Sequence, residues 1–177
     1  MANSMSIHDK YESITKSLIA LGLKISTMES CTAGAIASLI TDTEGSSAVF
    51  EGSYITYSNC TKIRCGVPSH IIEEFGVYST ETAAAMAACC RNAFGADLGV
   101  GVTGSFGNTD PANEDSIPGE VYYAIATEKG VKTGFARLDT LASRYEYKIK
   151  MADILGDELL QILSQWDAGL VDPSRLI

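Results

Sequence analysis

The chain has 177 residues, enough for one domain with a buried core of its own. Hydrophobic residues make up 46% and charged residues 20%, which excludes a disordered or low-complexity chain. Thirteen Lys and Arg against 22 Asp and Glu leave a net charge of −9, which argues against a general binder of nucleic acid or anionic membrane, since both require a basic face.

Met1 to Lys10 is polar and lacks the apolar segment of a secretory signal. Residues 1–7 are expected to be a tail, residues 8–166 the domain, and residues 167–177 a second tail. Tyr11, Ile14, Leu18 and Leu21 recur at helical spacing, so the first helix is predicted over about 8–22, with Gly22 at its C-terminal cap. A short apolar strand follows, Leu23 to Met28. The segment Glu29-Ser30-Cys31-Thr32-Ala33-Gly34 then leads into a small-residue helix ending near Ile40. Phe50 to Ser58 reads as a strand rich in Tyr, Ile and Thr. His70 to Phe75 reads as a short helix closed by Gly76. Ser79 or Thr80 can cap the next helix, which runs to Phe94 and is closed by Gly95. Within it, Ala83 to Cys90 is the longest apolar run, far short of the ~20 residues that span a membrane.

Leu98 to Thr103 is a further apolar strand, and residues 104–119 form a long loop. Val121 to Thr127 and Val131 to Leu138 are strands joined by Glu128-Lys129-Gly130, a hairpin signal. The last helix is expected over 143–165, with an apolar stripe of Tyr145, Ile149, Ala152, Leu155, Leu159, Ile162 and Trp166. Helices alternating with strands, then a late hairpin, predict a three-layer α/β/α sandwich with a mixed, mostly parallel sheet. Ligands of such sheets sit at the carboxyl ends of the strands. Three ends therefore matter: those before Ser30, around Tyr57 and before Gly104.

Four segments can carry chemistry. Ser30 lies between a strand and a helix start, where free N–H groups can cap, bind phosphate or hold an oxyanion; plain capping by Ser30 or Thr32 explains the residue types as well. In Thr56-Tyr57-Ser58-Asn59-Cys60-Thr61-Lys62, Lys62 is either a solvated lysine or a base for a serine, if burial lowers its pKa. Tyr57 could orient that amine or relay its proton. Gly99 to Gly104 either lets backbone approach a ligand or makes a tight turn. Arg144 could hold a phosphate bidentately, or be exposed or salt-bridged. Cys31 is a competing nucleophile, because a helix start can lower a thiol pKa.

The five cysteines (31, 60, 65, 89, 90) contain no CxxC pair. With only His8 and His70 beside them there is no zinc constellation. A reduced cytoplasmic protein with thiols packed in or near its core is expected, and Cys89-Cys90 read as packing residues.

Together these segments resemble the C-terminal domain of the competence/damage-inducible protein family CinA. The resemblance rests on Glu29-Ser30-Cys31-Thr32, Gly45 to Gly52, Thr56-Tyr57-Ser58-Asn59 with Lys62, Gly66-Val67-Pro68 and Gly101-Val102-Thr103-Gly104, and runs from about residue 8 to 165. It implies a stand-alone nicotinamide-nucleotide amidohydrolase. Such an enzyme hydrolyses the carboxamide of nicotinamide mononucleotide to nicotinate mononucleotide and ammonia, with no metal or cofactor. Carried over, Ser30 is the nucleophile, Lys62 its base and Tyr57 a third member of the group. Cys31, Thr32, Asn59, Thr103, Gly104 and Arg144 are the expected substrate-binding residues. A homo-oligomer is expected too, with Leu170-Val171 and Leu176-Ile177 as docking groups, and neither nucleic acid nor membrane as partner.

Three positions depart from the family pattern. Ala33 replaces a glycine, tolerable unless φ is positive there. Lys148 replaces a second arginine in the last helix and loses the planar fork. The loop after Gly104 carries Asp110, Glu114 and Asp115 and no Lys or Arg. If these carboxylates faced a phosphate they would repel it. Either the loop points to solvent, or the substrate differs. The alternative to an amidohydrolase is therefore a catalytically weak nucleotide- or protein-binding member of the family. A thiol enzyme using Cys31 is the third possibility.

Overall fold

The computed structural model describes residues 5–167; the expected C-terminal tail and its apolar docking groups lie outside them. The elements in chain order are α1 (Ile7–Leu21), β1 (Ile25–Glu29), α2 (Ala35–Thr41), β2 (Phe50–Ile55), α3 (Asn59–Arg64), α4 (Ser69–Phe75), α5 (Thr80–Ala93), β3 (Leu98–Gly104), β4 (Glu120–Thr127), β5 (Gly130–Arg137) and α6 (Arg144–Asp167). A single 3-10 turn, Ser46–Ala48, precedes β2. The strands form one sheet in the order β2-β1-β3-β4-β5. β2, β1 and β3 pair in parallel, and β4 pairs antiparallel to both β3 and β5, so β4 alone runs against the other four. This is the expected mixed, mostly parallel sheet between two helical layers.

Local signals set the boundaries. Ser6 caps α1 by accepting from the Asp9 N–H, and Gly22 ends it at φ 65°. Ser79 caps α5 by accepting from the Thr82 N–H. The sequence reading of β2 runs three residues too far. The chain leaves the sheet after Ile55, and Ser58 caps the short helix α3 by accepting from the Thr61 N–H. In so short a segment the strand-forming residues hide the cap.

One face of the sheet packs on α1, α2 and α6 around Tyr11, Ile14, Leu18, Ile36, Leu155 and Leu159, all buried. Each such side chain contributes about 1.5–3 kcal/mol relative to exposure. The inward face of α6 also differs from the expected stripe. Tyr147, Met151 and Leu163 are buried, whereas Tyr145 is exposed. Tyr147 turns inward because its ring stacks on Phe106, 5.2 Å between centroids.

On the other face α5 lies directly on β3. A Cβ added at Gly99 would sit 2.2 Å from the Ala87 carbonyl oxygen, and one at Gly101 would sit 2.2 Å from that of Ala83. These glycines thus serve the fit of helix on strand, neither a ligand nor a turn. The alanines of α5 complete that fit, with Ala83 and Ala87 packed on Ala124 and Ala126 of β4. Among the described residues no helix is long and apolar enough to cross a membrane. Gly101→Ala should lower unfolding free energy in urea by about 2–3 kcal/mol, because backbone rather than a flexible side chain must give way; an unchanged midpoint would contradict this packing.

Candidate active site

Three strand ends converge at one edge of the sheet. Ser30 follows β1, Tyr57 follows β2 and Gly104 ends β3, and all three line one cavity of about 480 Å³. Its wall is completed by Arg144 at the start of α6, by Cys31 and Asn59, and by the Ser105–Asn113 stretch of the long loop.

The turn carrying Ser30 is held from within by Glu29, which is fully buried. The Gly34 and Ile36 N–H groups donate to Glu29 Oε2 at 2.9 and 3.2 Å. The Ala37 N–H and the Thr27 hydroxyl donate to Oε1 at 2.9 and 3.0 Å. One carboxylate thus satisfies three N–H groups at the start of α2 that would otherwise be orphaned. This role escaped the sequence reading, although a carboxylate at a strand end just before a helix start was the available signal.

Lys62 comes from a separate element, α3. α3 turns it inward, and its side chain is 1% exposed. Its Nζ donates to Ser30 Oγ at 3.1 Å and to the Thr56 carbonyl oxygen at 2.9 Å. Burial lowers the amine from its ordinary 10.5 to about 8, against smaller opposing contributions from Cys31 and Asp110. Cys31 moves the other way. Burial pushes its thiol up to about 12, so the helix start does not yield a thiolate here.

The remaining expected residues divide. Tyr57 does not meet Lys62; its hydroxyl accepts from Arg144 Nη2 at 2.9 Å, and the Thr56 carbonyl orients the amine instead. Arg144 Nη1 donates to Asn108 Oδ1 at 3.1 Å, and the guanidinium lies over the Phe106 ring. Asn59 Nδ2 donates to Asn113 Oδ1 at 2.8 Å, tying α3 to the loop. Thr32 and Thr103 are fully buried and do not line the cavity. The Thr103 hydroxyl is spent on the Val77 carbonyl oxygen. The loop does not turn away to solvent, and of its three carboxylates Asp110 alone lines the cavity. Tyr78, just before α5, and Asn108 and Asn113 of the loop join the wall without any sequence signal, because only the folded chain brings these distant segments together.

Residues 8–153 match the CinA C-terminal domain. The chain belongs to that family. CinA-like proteins of Geobacter sulfurreducens and Geotalea daltonii are each 44% identical to it, over 62% and 61% of this chain. The matched stretch spans about a quarter of their length, 26% of each. The competence/damage inducible protein CihA from Agrobacterium tumefaciens is 30% identical, with TM-score 0.80 over 91% of this chain and 99% of that one. A CinA superfamily protein from Klebsiella pneumoniae shares the fold, with TM-score 0.83 at 19% identity over 92% of this chain and 100% of that one. Against the CinA pattern, Ala33 has φ 51°, the left-handed region where an L side chain costs about 1–2 kcal/mol. Lys148 does not line the cavity.

Lys62 makes stability depend on pH. Its folded pKa lies below its unfolded value, so between about 8 and 10.5 the folded chain binds fewer protons and stability rises with pH. The deficit below pH 8 is about 3 kcal/mol. Lys62→Met should therefore be more stable than the parent in urea at pH 7 and should lose that advantage by pH 10. Glu29→Gln should be destabilised by about 3 kcal/mol, since an amide N–H₂ would then face the N–H groups of the turn.

Proposed function

We propose that the chain is an amidohydrolase that acts on the carboxamide of nicotinamide mononucleotide, releasing ammonia and leaving nicotinate mononucleotide. The observation that carries this reading is the 3.1 Å contact between a buried lysine amine and a serine hydroxyl on the cavity wall. Serine is a weak nucleophile until a neighbouring base takes its proton. A lysine does so only when neutral, and a pKa of about 8 makes a useful fraction neutral near physiological pH.

In the proposed mechanism Lys62 accepts the Ser30 proton as Oγ attacks the amide carbon. The Thr56 carbonyl fixes the amine's direction. The Ser30, Ala33 and Gly34 N–H groups are already engaged by the Val102 and Ser30 carbonyls and by Glu29. The Cys31 N–H, on the other residue of this turn that lines the cavity, is the donor assigned to the oxyanion, which it would receive in exchange for its contact with its own thiol. Protonated Lys62 then delivers its proton to the leaving ammonia, and water cleaves the acyl ester by the reverse sequence. Arg144, steadied by Tyr57 and Asn108, is the one arginine or lysine that lines the cavity among the described residues, and the natural partner of the substrate's phosphate.

Ammonia release from nicotinamide mononucleotide tests the proposal. The parent should show a rate that climbs with pH to a plateau above about 8, while Ser30→Ala and Lys62→Met should each lose at least about 10³-fold. Full activity in Ser30→Ala would remove the nucleophile, and binding without turnover in the parent would favour the binding-module alternative.

A further inference from the structure

Asp110 is set apart from the other acidic residues of its loop. Glu114 and Asp115 are exposed and off the cavity wall, whereas Asp110 lines the cavity and is half-buried. Its carboxylate is held rigidly. Oδ2 accepts from the Tyr78 hydroxyl at 2.7 Å and from Asn113 Nδ2 at 2.5 Å, and Oδ1 accepts from the Ala112 N–H at 2.9 Å. Asn113 is fixed in turn by Asn59 of α3. All three donors are neutral, and no lysine or arginine among the described residues forms an ion pair with Asp110.

Neutral donors steady a carboxylate without cancelling its charge. They also keep it ionised, since the Tyr78 hydrogen bond above all holds the carboxyl below its usual range. Asp110 and Ser30 line the same cavity, and the carboxylate's charge is felt at the Lys62 amine beside Ser30. The cavity therefore has two fixed charges of opposite sign, Asp110 on the loop and Arg144 on α6. A wall of this kind discriminates ligands by charge more than by shape.

We propose that Asp110 is a specificity-determining residue that selects an amide borne on a cationic ring, an N1-substituted pyridinium, over an uncharged amide of the same outline. This rests on the amidohydrolase reading of the same cavity. The anion lies on the long loop between β3 and β4, the part of the cavity wall set apart from the Ser30–Lys62 pair.

Calorimetric binding in the Ser30→Ala background, where no turnover intervenes, provides the test. The probes are the 1-methylnicotinamide cation and uncharged nicotinamide, which carry the same carboxamide. The cation should bind about tenfold tighter at low salt, with the preference shrinking as salt is raised. Adding Asp110→Asn should bring the two affinities together. Adding Asp110→Glu, which keeps the charge, should preserve most of the preference and guards against a loop that has merely lost its fold. Equal affinities with Asp110 in place, no binding of either probe, or an undiminished preference in Asp110→Asn would overturn the proposal. Ammonia release from nicotinamide mononucleotide by the parent without a cation preference would defeat this inference alone. A cation preference without ammonia release would defeat the hydrolase reading and leave charge selection standing.

Discussion

An aliphatic amine gives up its proton near neutral pH only where water is kept from it, and Lys62 meets that condition. Everything around the cavity serves or tolerates this one buried group. α3 brings the side chain in, the Thr56 carbonyl receives one of its hydrogens, and Ser30 receives another. No carboxylate makes an ion pair with the amine among the described residues, and an ion pair would have raised its pKa again. The fold thus holds a group that is unfavourable for stability and apt for proton transfer.

Glu29 is the complementary constraint. A helix of seven residues has too little length to organise its own start. The buried carboxylate does so instead, gathering the N–H groups of Gly34, Ile36 and Ala37 and so fixing where the Ser30 turn begins. The turn then closes tightly enough to force Ala33 to a positive φ, followed by Gly34 in the same region. The nucleophile is therefore positioned by a buried carboxylate on β1, and the base by α3 and the Thr56 carbonyl.

Much of the architecture was legible in the chain because period and punctuation agree. Gly22, Ser79 and the Glu128-Lys129-Gly130 turn mark ends that the structure keeps, and the three strand ends named from the sequence do meet at one cavity. The errors have physical causes. Residues 56–58 resemble strand until the Ser58 cap is seen in place. Helical spacing places Tyr145 in the buried stripe, but Phe106 draws in Tyr147, a contact made by a residue far away in sequence. Gly99 and Gly101 gave a ligand-like signal because a close approach of backbone to helix asks for the same residue as a close approach to a ligand. Polar partners such as Tyr78–Asp110 and Arg144–Tyr57 join residues 32 and 87 positions apart, beyond any local pattern.

The reversal of direction at β4 has a consequence for how such a cavity can change. β3 ends and β4 begins at the same rim of the sheet, with Gly104 paired to Val121. A parallel crossover would carry the chain to the far rim; this connection instead departs and returns beside the nucleophile. Phe106 belongs to the core, but beyond it insertions, deletions or exchanged charges between these two anchors can redraw the roof over the cavity while the dyad and the hydrophobic layers stay as they are. The site is thus divided into an invariable anvil and a replaceable die, and new substrates become reachable through the die alone.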